Sequence, residues 1–408
     1  MLESALILVA AALFGYALVA RRLLDSMLTG PMLFLALGWT LSATGAAHDA
    51  EPLLHLIAEI TLVIVLFADA SRIDLRHLTA DYAWPARMLA LGLPLTVAFG
   101  AVAGLLLLPG WSVWEVATIA AILAPTDAAL GQAVVSNRRV PERIRTTLEV
   151  ESGLNDGLAL PLILLLSCLA VGGRHGFVQQ SWLWFAMEQI GFGALIGGAL
   201  GWAGGRLLAR AGAAGLTEAP SEGVAALALA GGCFLLADLA GGNGLVTAFI
   251  GGLAFGAGFG GRCAFVGAFM EGEGRIMVLV SFLLIGAALL PEALDQISLD
   301  EVGFILACLL VARPLAIWLS LTGAGAGAAA KLFLGWFGPR GLATALFALF
   351  VMEEAALAQG EAVTAIAVVA VAISALAHGV TAAPAARRFG TSLDRPSDVP
   401  TAKPAESL

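Results

Sequence analysis

Charge is what this 408-residue chain has least of: Asp, Glu, Lys and Arg make up 12% of it, about half the roughly 25% of an average soluble domain. With so few polar side chains, 60% hydrophobic residues and a mean hydropathy of +0.93, the composition cannot cover a water-facing surface of this length. The chain therefore reads as an all-α polytopic membrane protein. Positive charge is the scarcer sign, 21 Lys and Arg against 30 Asp and Glu, which excludes nucleic acid as the main partner. The four cysteines, Cys168, Cys233, Cys263 and Cys308, have no short paired spacing. A disulfide framework or zinc site is thereby excluded, and buried inert thiols are expected. Of the five histidines none forms an HExxH or similar metal-binding pair, and neither a P-loop nor a Ser-His-Asp arrangement occurs. Nothing calls for a cofactor or an enzyme reading. The N-terminus, MLESALILVAAALFGYALVARR, lacks a positive n-region and a small-residue cleavage site, so it is expected to be a retained first helix.

Glycine is abundant instead, 49 residues or about 12% against a usual 7% or so. Most glycines sit inside apolar runs, where they suit close helix packing. A crossing needs about 20 mostly apolar residues. Such runs lie near 2–20, 28–47, 52–70, 87–109, 112–136, 146–170, 183–205, 223–240, 243–260, 275–291, 301–321, 331–351 and 362–386, about 13 spans in one transmembrane domain over residues 1–390. Positive charges test this count. Eighteen of the 21 lie in odd-numbered loops or the C-terminal tail, Arg174 alone lies in an even loop, and Arg313 and Arg340 fall inside spans. By the positive-inside rule the odd loops are cytoplasmic, which predicts the N-terminus outside and the C-terminus inside. Even loops carry acids such as Glu292, Asp295 and Asp300, read as a solvated surface. The tail, residues 391–408, is polar and Pro-rich and predicts disorder.

Ionisable residues inside spans mark ion or proton pathways by default. The fifth span contains Pro125-Thr126-Asp127 in mid-run. Proline removes a backbone donor and restrains the residue before it, while Thr or Asp can cap a restarted helix. Two readings stand, a simple proline kink or a broken helix lining a cavity near the midplane. The sixth span carries Glu151-Ser152-Gly153-Leu154-Asn155-Asp156. A spacing of four puts Ser152 and Asp156 on one face, Glu151 and Asn155 on the next. Desolvation disfavours a lone charged carboxylate, so an acid at the place of Asp156 is suited to hold either a proton or a cation. In the twelfth span Gly338-Pro339-Arg340-Gly341 breaks another apolar run around a buried guanidinium, for which Glu151 is the expected partner. Arg313 is a second buried cation without an assigned partner, read as structural. Asp69, at the end of the third span, reads either as an interface residue or as an extra oxygen ligand; Asp238 is a weaker case of the same. Spans 5 and 12 are equivalent if spans 1–6 and 8–13 are repeats joined by the seventh. Their odd offset makes the repeats inverted, as in secondary transporters with a midplane site.

The PTDAA break, the ESGLND run, the GPRG segment and the span plan resemble the monovalent cation–proton antiporters, in particular the NhaP and sodium/hydrogen-exchanger branch. The resemblance covers nearly the whole membrane part. It implies Asp156 as the cation- and proton-binding carboxylate, with oxygens from Ser152, from Thr126 and, on the third span, from Asp69. It further implies that Asp127 balances half-helix dipoles at the crossing and that Glu151 and Arg340 form a stabilising ion pair. The family often has Glu where this chain has Asp69, and many members place Pro after the Asp, whereas here Pro125 precedes Thr126 and Ala128 follows Asp127. A homodimer is implied, with a core of spans 4–6 and 11–13 moving against a dimerisation scaffold of spans 1–3 and 8–10. The expected activity is electroneutral exchange of Na+ (or Li+) for H+ in the cell membrane, both competing for Asp156. Asn155 beside it leaves a single titrating group on the sixth span. The same residues permit K+/H+ exchange, and a cation channel would need a continuous pore.

Overall fold

The computed structural model describes residues 2–23, 28–43, 51–73, 83–135, 137, 139–175, 179–260, 273–355 and 357–393. Among them no strand forms, and helix occupies each apolar run that the sequence predicted. The first three helices are α1 (Leu2–Leu23), α2 (Gly30–Ser42) and α3 (Glu51–Ser71). Next come α4 (Ala83–Arg87) and α5 (Leu93–Leu107), joined by a π-helical turn at Met88–Gly92. The fifth run is split into α6 (Val113–Ile122) and α7 (Ala128–Val135). Then follow α8 (Glu142–His175), α9 (Gln179–Ala213), α10 (Ala219–Leu239) and α11 (Gly244–Phe259). A π turn at Ile285–Leu289 joins α12 (Glu273–Leu284) to α13 (Leu290–Gln296). Another at Cys308–Ala312 joins α14 (Leu299–Ala307) to α15 (Arg313–Ser320). The twelfth run is again split, into α16 (Ala328–Trp336) and α17 (Leu342–Ala355), before α18 (Gly360–Leu393). Among the described residues seven helices are long and apolar enough to cross a membrane on those grounds alone, including Glu142–Val171 and Gly360–Arg387.

Local chemistry explains the boundaries. Ser112 and Glu115 form a capping box at the start of α6, and Ser298 and Glu301 another at the start of α14; each satisfies two orphan backbone N–H groups. All three π turns are followed at once by a proline in second place, Pro94, Pro291 and Pro314. A proline ring clashes with the carbonyl four residues back and offers no N–H. Widening that turn accommodates the ring without ending the helix.

The repeats are visible in these irregularities. A π turn with a following proline marks both Ala83–Leu107 and Leu299–Ser320, seven runs apart. A mid-run break follows in each repeat, then a 34-residue helix with one internal proline, Pro161 in α8 and Pro384 in α18. Arg87 Nε donates to Ser320 O at 2.7 Å, and Trp84 Nε1 to Ala324 O at 2.9 Å, tying α4 to the end of α15.

Glycines set the closest approaches. Gly197, Gly201 and Gly205, one per turn of α9, face the backbone oxygens of Thr247, Gly251 and Phe255 on α11, and any side chain there would overlap them. On α11, Gly252 and Gly256 press in the same way on Phe67 O and Ser71 O of α3. This stack holds the last turn of α3, and with it Asp69, against the sixth run. The helix α18 runs through Leu393, so Thr391–Leu393, expected to begin a disordered tail, are helical. Residues 394–408 of that tail, and Cys263, lie outside the described residues. Cys168, Cys233 and Cys308 are free thiols.

Candidate functional site

Of the two readings of Pro125-Thr126-Asp127, the structure has the broken helix. Residues 123–127 are non-helical between α6 and α7, and 337–341 between α16 and α17. The two breaks meet. Asp127 N donates to Pro339 O at 2.8 Å, and Leu342 N donates to Asp127 Oδ2 at 3.0 Å. Asp127 thereby caps the N-terminus of α17, where a negative charge complements the helix dipole. Gly341 makes this possible, because a methyl group in its place would overlap the Asp127 carboxylate. On the opposite side Arg340, fully buried, donates from Nη1 to Ala124 O at 2.7 Å and to Pro125 O at 3.0 Å. These carbonyls lie in the break just past the end of α6, and a guanidinium there complements the negative end of that half-helix.

The helix α8 supplies the groups that face this crossing. Glu151, Ser152, Asn155 and Asp156 are all buried, as is Thr126. Asn155 Nδ2 donates to Thr126 Oγ1 at 2.6 Å, and Ser152 Oγ donates to Thr126 O at 2.9 Å. The two hydroxyl oxygens lie 3.0 Å apart. Since the Ser152 hydrogen is used on the carbonyl, the Thr126 hydroxyl closes the ring by donating to Ser152. Asp156 Oδ1 and Asn155 Oδ1 are left buried with no hydrogen-bond partner. A buried acceptor without a donor is costly, and two on adjacent residues beside a ring of oxygens make a place where a cation or a proton is stabilised. Asp127 and Asp69 both lie close enough to act electrostatically on Asp156. Asp69 is half-buried, its Cβ 3.7 Å from where a Gly153 side chain would begin. The structure thus brings together Asp156, Ser152, Thr126, Asn155 and Asp127, with Asp69 alongside. Asp238 is exposed on the last turn of α10. Among the described residues no group of three His, Cys, Asp or Glu could hold a metal ion.

The expected Glu151–Arg340 pair does not form. Glu151 is bound by Arg313, with Nη1 to Oε1 at 2.8 Å and Nη2 to Oε2 at 2.9 Å, a two-pronged pair buried on both sides. The reason lies in the breaks: Arg340 points into the open carbonyls of the fifth run, while Arg313 passes beneath Gly338, whose missing side chain leaves room for the guanidinium. The sequence held two buried cations as possible partners for Glu151, and Arg313 was the one that spacing could not place. Missed as well were Ser374 and His378 of α18, buried beside Arg340 and Trp336.

A model of the sodium/hydrogen exchanger transmembrane family matches residues 8–388. The K(+)/H(+) antiporter NhaP2 of Shewanella oneidensis is 29% identical over 367 residues, covering 87% of this chain and 62% of that protein. The K(+)/H(+) antiporter NhaP of Alkalimonas amylolytica is 29% identical over 357 residues, 84% of this chain and 60% of the relative. The chain thus spans about three fifths of the length of these relatives. The sodium proton antiporter MjNhaP1 from Methanocaldococcus jannaschii, a structure at pH 8, superposes with a TM-score of 0.75 at 21% identity, covering 96% of this chain and 99% of that one. Crossed breaks in an all-helical membrane fold, an unsatisfied carboxylate at their side and a family match over almost every residue converge: this chain belongs to the sodium/hydrogen exchanger family of monovalent cation–proton antiporters.

Proposed function

We propose that this chain exchanges one Na+ or Li+ for one H+ by alternating access, with both substrates competing for Asp156. The observation that carries this reading is the buried, unpartnered Oδ1 of Asp156 next to the Thr126–Ser152–Asn155 ring. Ionised, the carboxylate takes the dehydrated cation together with oxygens from Ser152 and Thr126, and Asp69 approaches from α3. Protonated, it loses the attraction and releases the ion. The surrounding charges are already balanced: Arg313 neutralises Glu151, Arg340 complements the carbonyl end of α6, and Asp127 complements the N-terminus of α17. Asp156 is then the group whose charge alternates, which supports one-for-one exchange with no net charge moved. The family resemblance and the lopsided Lys and Arg distribution support a homodimer in the cell membrane, N-terminus outside and C-terminus cytoplasmic. They also support a mobile core of spans 4–6 and 11–13 against a scaffold of spans 1–3 and 8–10.

A second reading, K+/H+ exchange, is favoured by the names of the NhaP2 and NhaP relatives. The test is dye-monitored collapse of a pH gradient in proteoliposomes of the purified protein on addition of Na+, Li+ or K+ in turn. Saturable flux with Na+ and Li+ supports the first reading, flux with K+ alone the second. Non-saturating flux that needs no counter-ion would instead mark a channel.

A further inference from the structure

The second repeat contains a near copy of the site, differently filled. In the first repeat a Ser and an Asp four residues apart on α8, Ser152 and Asp156, face the break of the fifth run. In the second, a Ser and a His four residues apart on α18, Ser374 and His378, face the break of the twelfth. The placement is similar though offset by one residue: Asp156 precedes Pro161 by five residues, and His378 precedes Pro384 by six. Ser152 donates to the break of its own repeat at Thr126 O. Correspondingly, the Ser374 hydroxyl oxygen accepts the backbone N–H of Arg340 at 2.7 Å.

The two sites then diverge. Where Asp156 Oδ1 is unpartnered, both nitrogens of His378 are engaged. Nε2 lies 2.8 Å from Trp336 O, within hydrogen-bond distance of a pure acceptor. Nδ1 lies 3.1 Å from Ser374 Oγ and 2.8 Å from Ser374 O. The ring stacks on Trp336 at 5.0 Å and meets the edge of Phe337 at 6.3 Å. His378 thus contacts the last residue of α16 while Ser374, one turn away, holds the backbone of Arg340 inside the break. Between these two contacts lie residues 337–339 of the break. Trp336 is the last residue of α16, and Ala124 and Pro125 lie in the break just past α6. A nitrogen-bearing side chain reaches the carbonyls of each, His378 in one repeat and Arg340 in the other.

We infer that Ser374 and His378 are a positioning pair. They fix the break of the twelfth run and, through Arg340 on the carbonyls of Ala124 and Pro125, hold the Thr126 oxygens where the cation binds. This inference rests on the antiport reading for its main readout, and cation binding provides a second that does not. The full-length protein, reconstituted, is titrated with Na+ and with K+ in the dye assay. His378→Phe keeps the stacked ring and removes both nitrogen contacts. It is expected to raise the KM for the transported cation about fivefold or more, with the maximal rate within about twofold, as for a loss of uniform binding. His378→Gln, which can again donate to Trp336 O, brings KM back toward the wild-type value. Ser374→Ala raises KM in the same direction, and the double variant Ser374→Ala/His378→Phe adds little, because the two residues act as one brace. A wild-type KM in Ser374→Ala and His378→Phe overturns the inference. So does a loss confined to the maximal rate that Gln does not rescue. If His378→Phe does not fold, Ser374→Ala decides alone. If the wild type exchanges neither ion, the antiport reading falls, and the brace is read from the Na+ or K+ concentration that raises the thermal midpoint. Equal concentrations for wild type and Ser374→Ala overturn it there too.

Discussion

Replacing Arg313 by Met tests the most specific electrostatic feature of the fold. The guanidinium holds both oxygens of Glu151, at 2.8 and 2.9 Å, in a pair whose side chains are 3% and 4% exposed. Met fills much of the volume but leaves the carboxylate buried and unpaired, which costs roughly 3–5 kcal/mol when one partner of a buried pair is removed. Taking about 2.1 cal/mol/K per residue for the unfolding entropy, a 408-residue chain loses roughly 3–6 °C of thermal midpoint. The assay is a thermal scan of the detergent-purified protein for Arg313→Met, Glu151→Gln and the double variant. The expected outcome is a double variant more stable than the summed singles predict, by about 0.5–3 kcal/mol of coupling. The same cycle with Arg340→Met in place of Arg313→Met should show the smaller coupling, because Arg340 spends its hydrogen bonds on Ala124 O and Pro125 O. Strict additivity for Glu151 with Arg313, or a larger coupling of Glu151 with Arg340, would refute the assignment of the pair.

Other expectations follow from the crossing. Asp156→Asn should leave the protein folded and abolish cation-dependent proton flux in proteoliposomes, since no titrating ligand remains; normal flux at normal expression would remove Asp156 from the centre of the mechanism. Gly341→Ala drives a methyl group into the Asp127 carboxylate and should lower the thermal midpoint by the equivalent of about 1–3 kcal/mol. An unchanged midpoint would show that the breaks are more compliant than their hydrogen bonds imply. With the potential set by a K+ gradient and valinomycin, Na+-driven proton flux should not vary with voltage. A systematic voltage dependence would sink one-for-one exchange and direct attention to Asp69 or Asp127 as a second titrating acid.

The hydropathy runs carried nearly all of the helix placement, because a helix in lipid must satisfy its own backbone and so follows apolar length closely. The face shared by Ser152 and Asp156 was equally legible, since the helical period alone determines it. What spacing could not supply was the direction in which each break opens. The Pro125 break leaves carbonyls on the α6 side and a restart on the α7 side, and the Gly338–Gly341 break does the same in reverse order across the crossing. Only when the two are laid over each other does Arg340 fall onto carbonyl oxygens and the Glu151 carboxylate fall to Arg313, by way of the gap that Gly338 leaves. In the sequence, GPRG announced a break and a buried cation, but both glycines serve a neighbour from another run: Gly338 makes room for Arg313, and Gly341 for Asp127. Ser374 and His378 were hidden for a different reason. In AVAISALAHGVTAAP, Ser374 and His378 read as isolated interruptions of an apolar helix, and their spacing becomes informative only beside Ser152 and Asp156 in the other repeat. An inverted repeat places equivalent residues around one crossing while giving them unlike neighbours. One copy therefore keeps a bare carboxylate oxygen beside its break, and the other sets an imidazole bound on both sides beside its own.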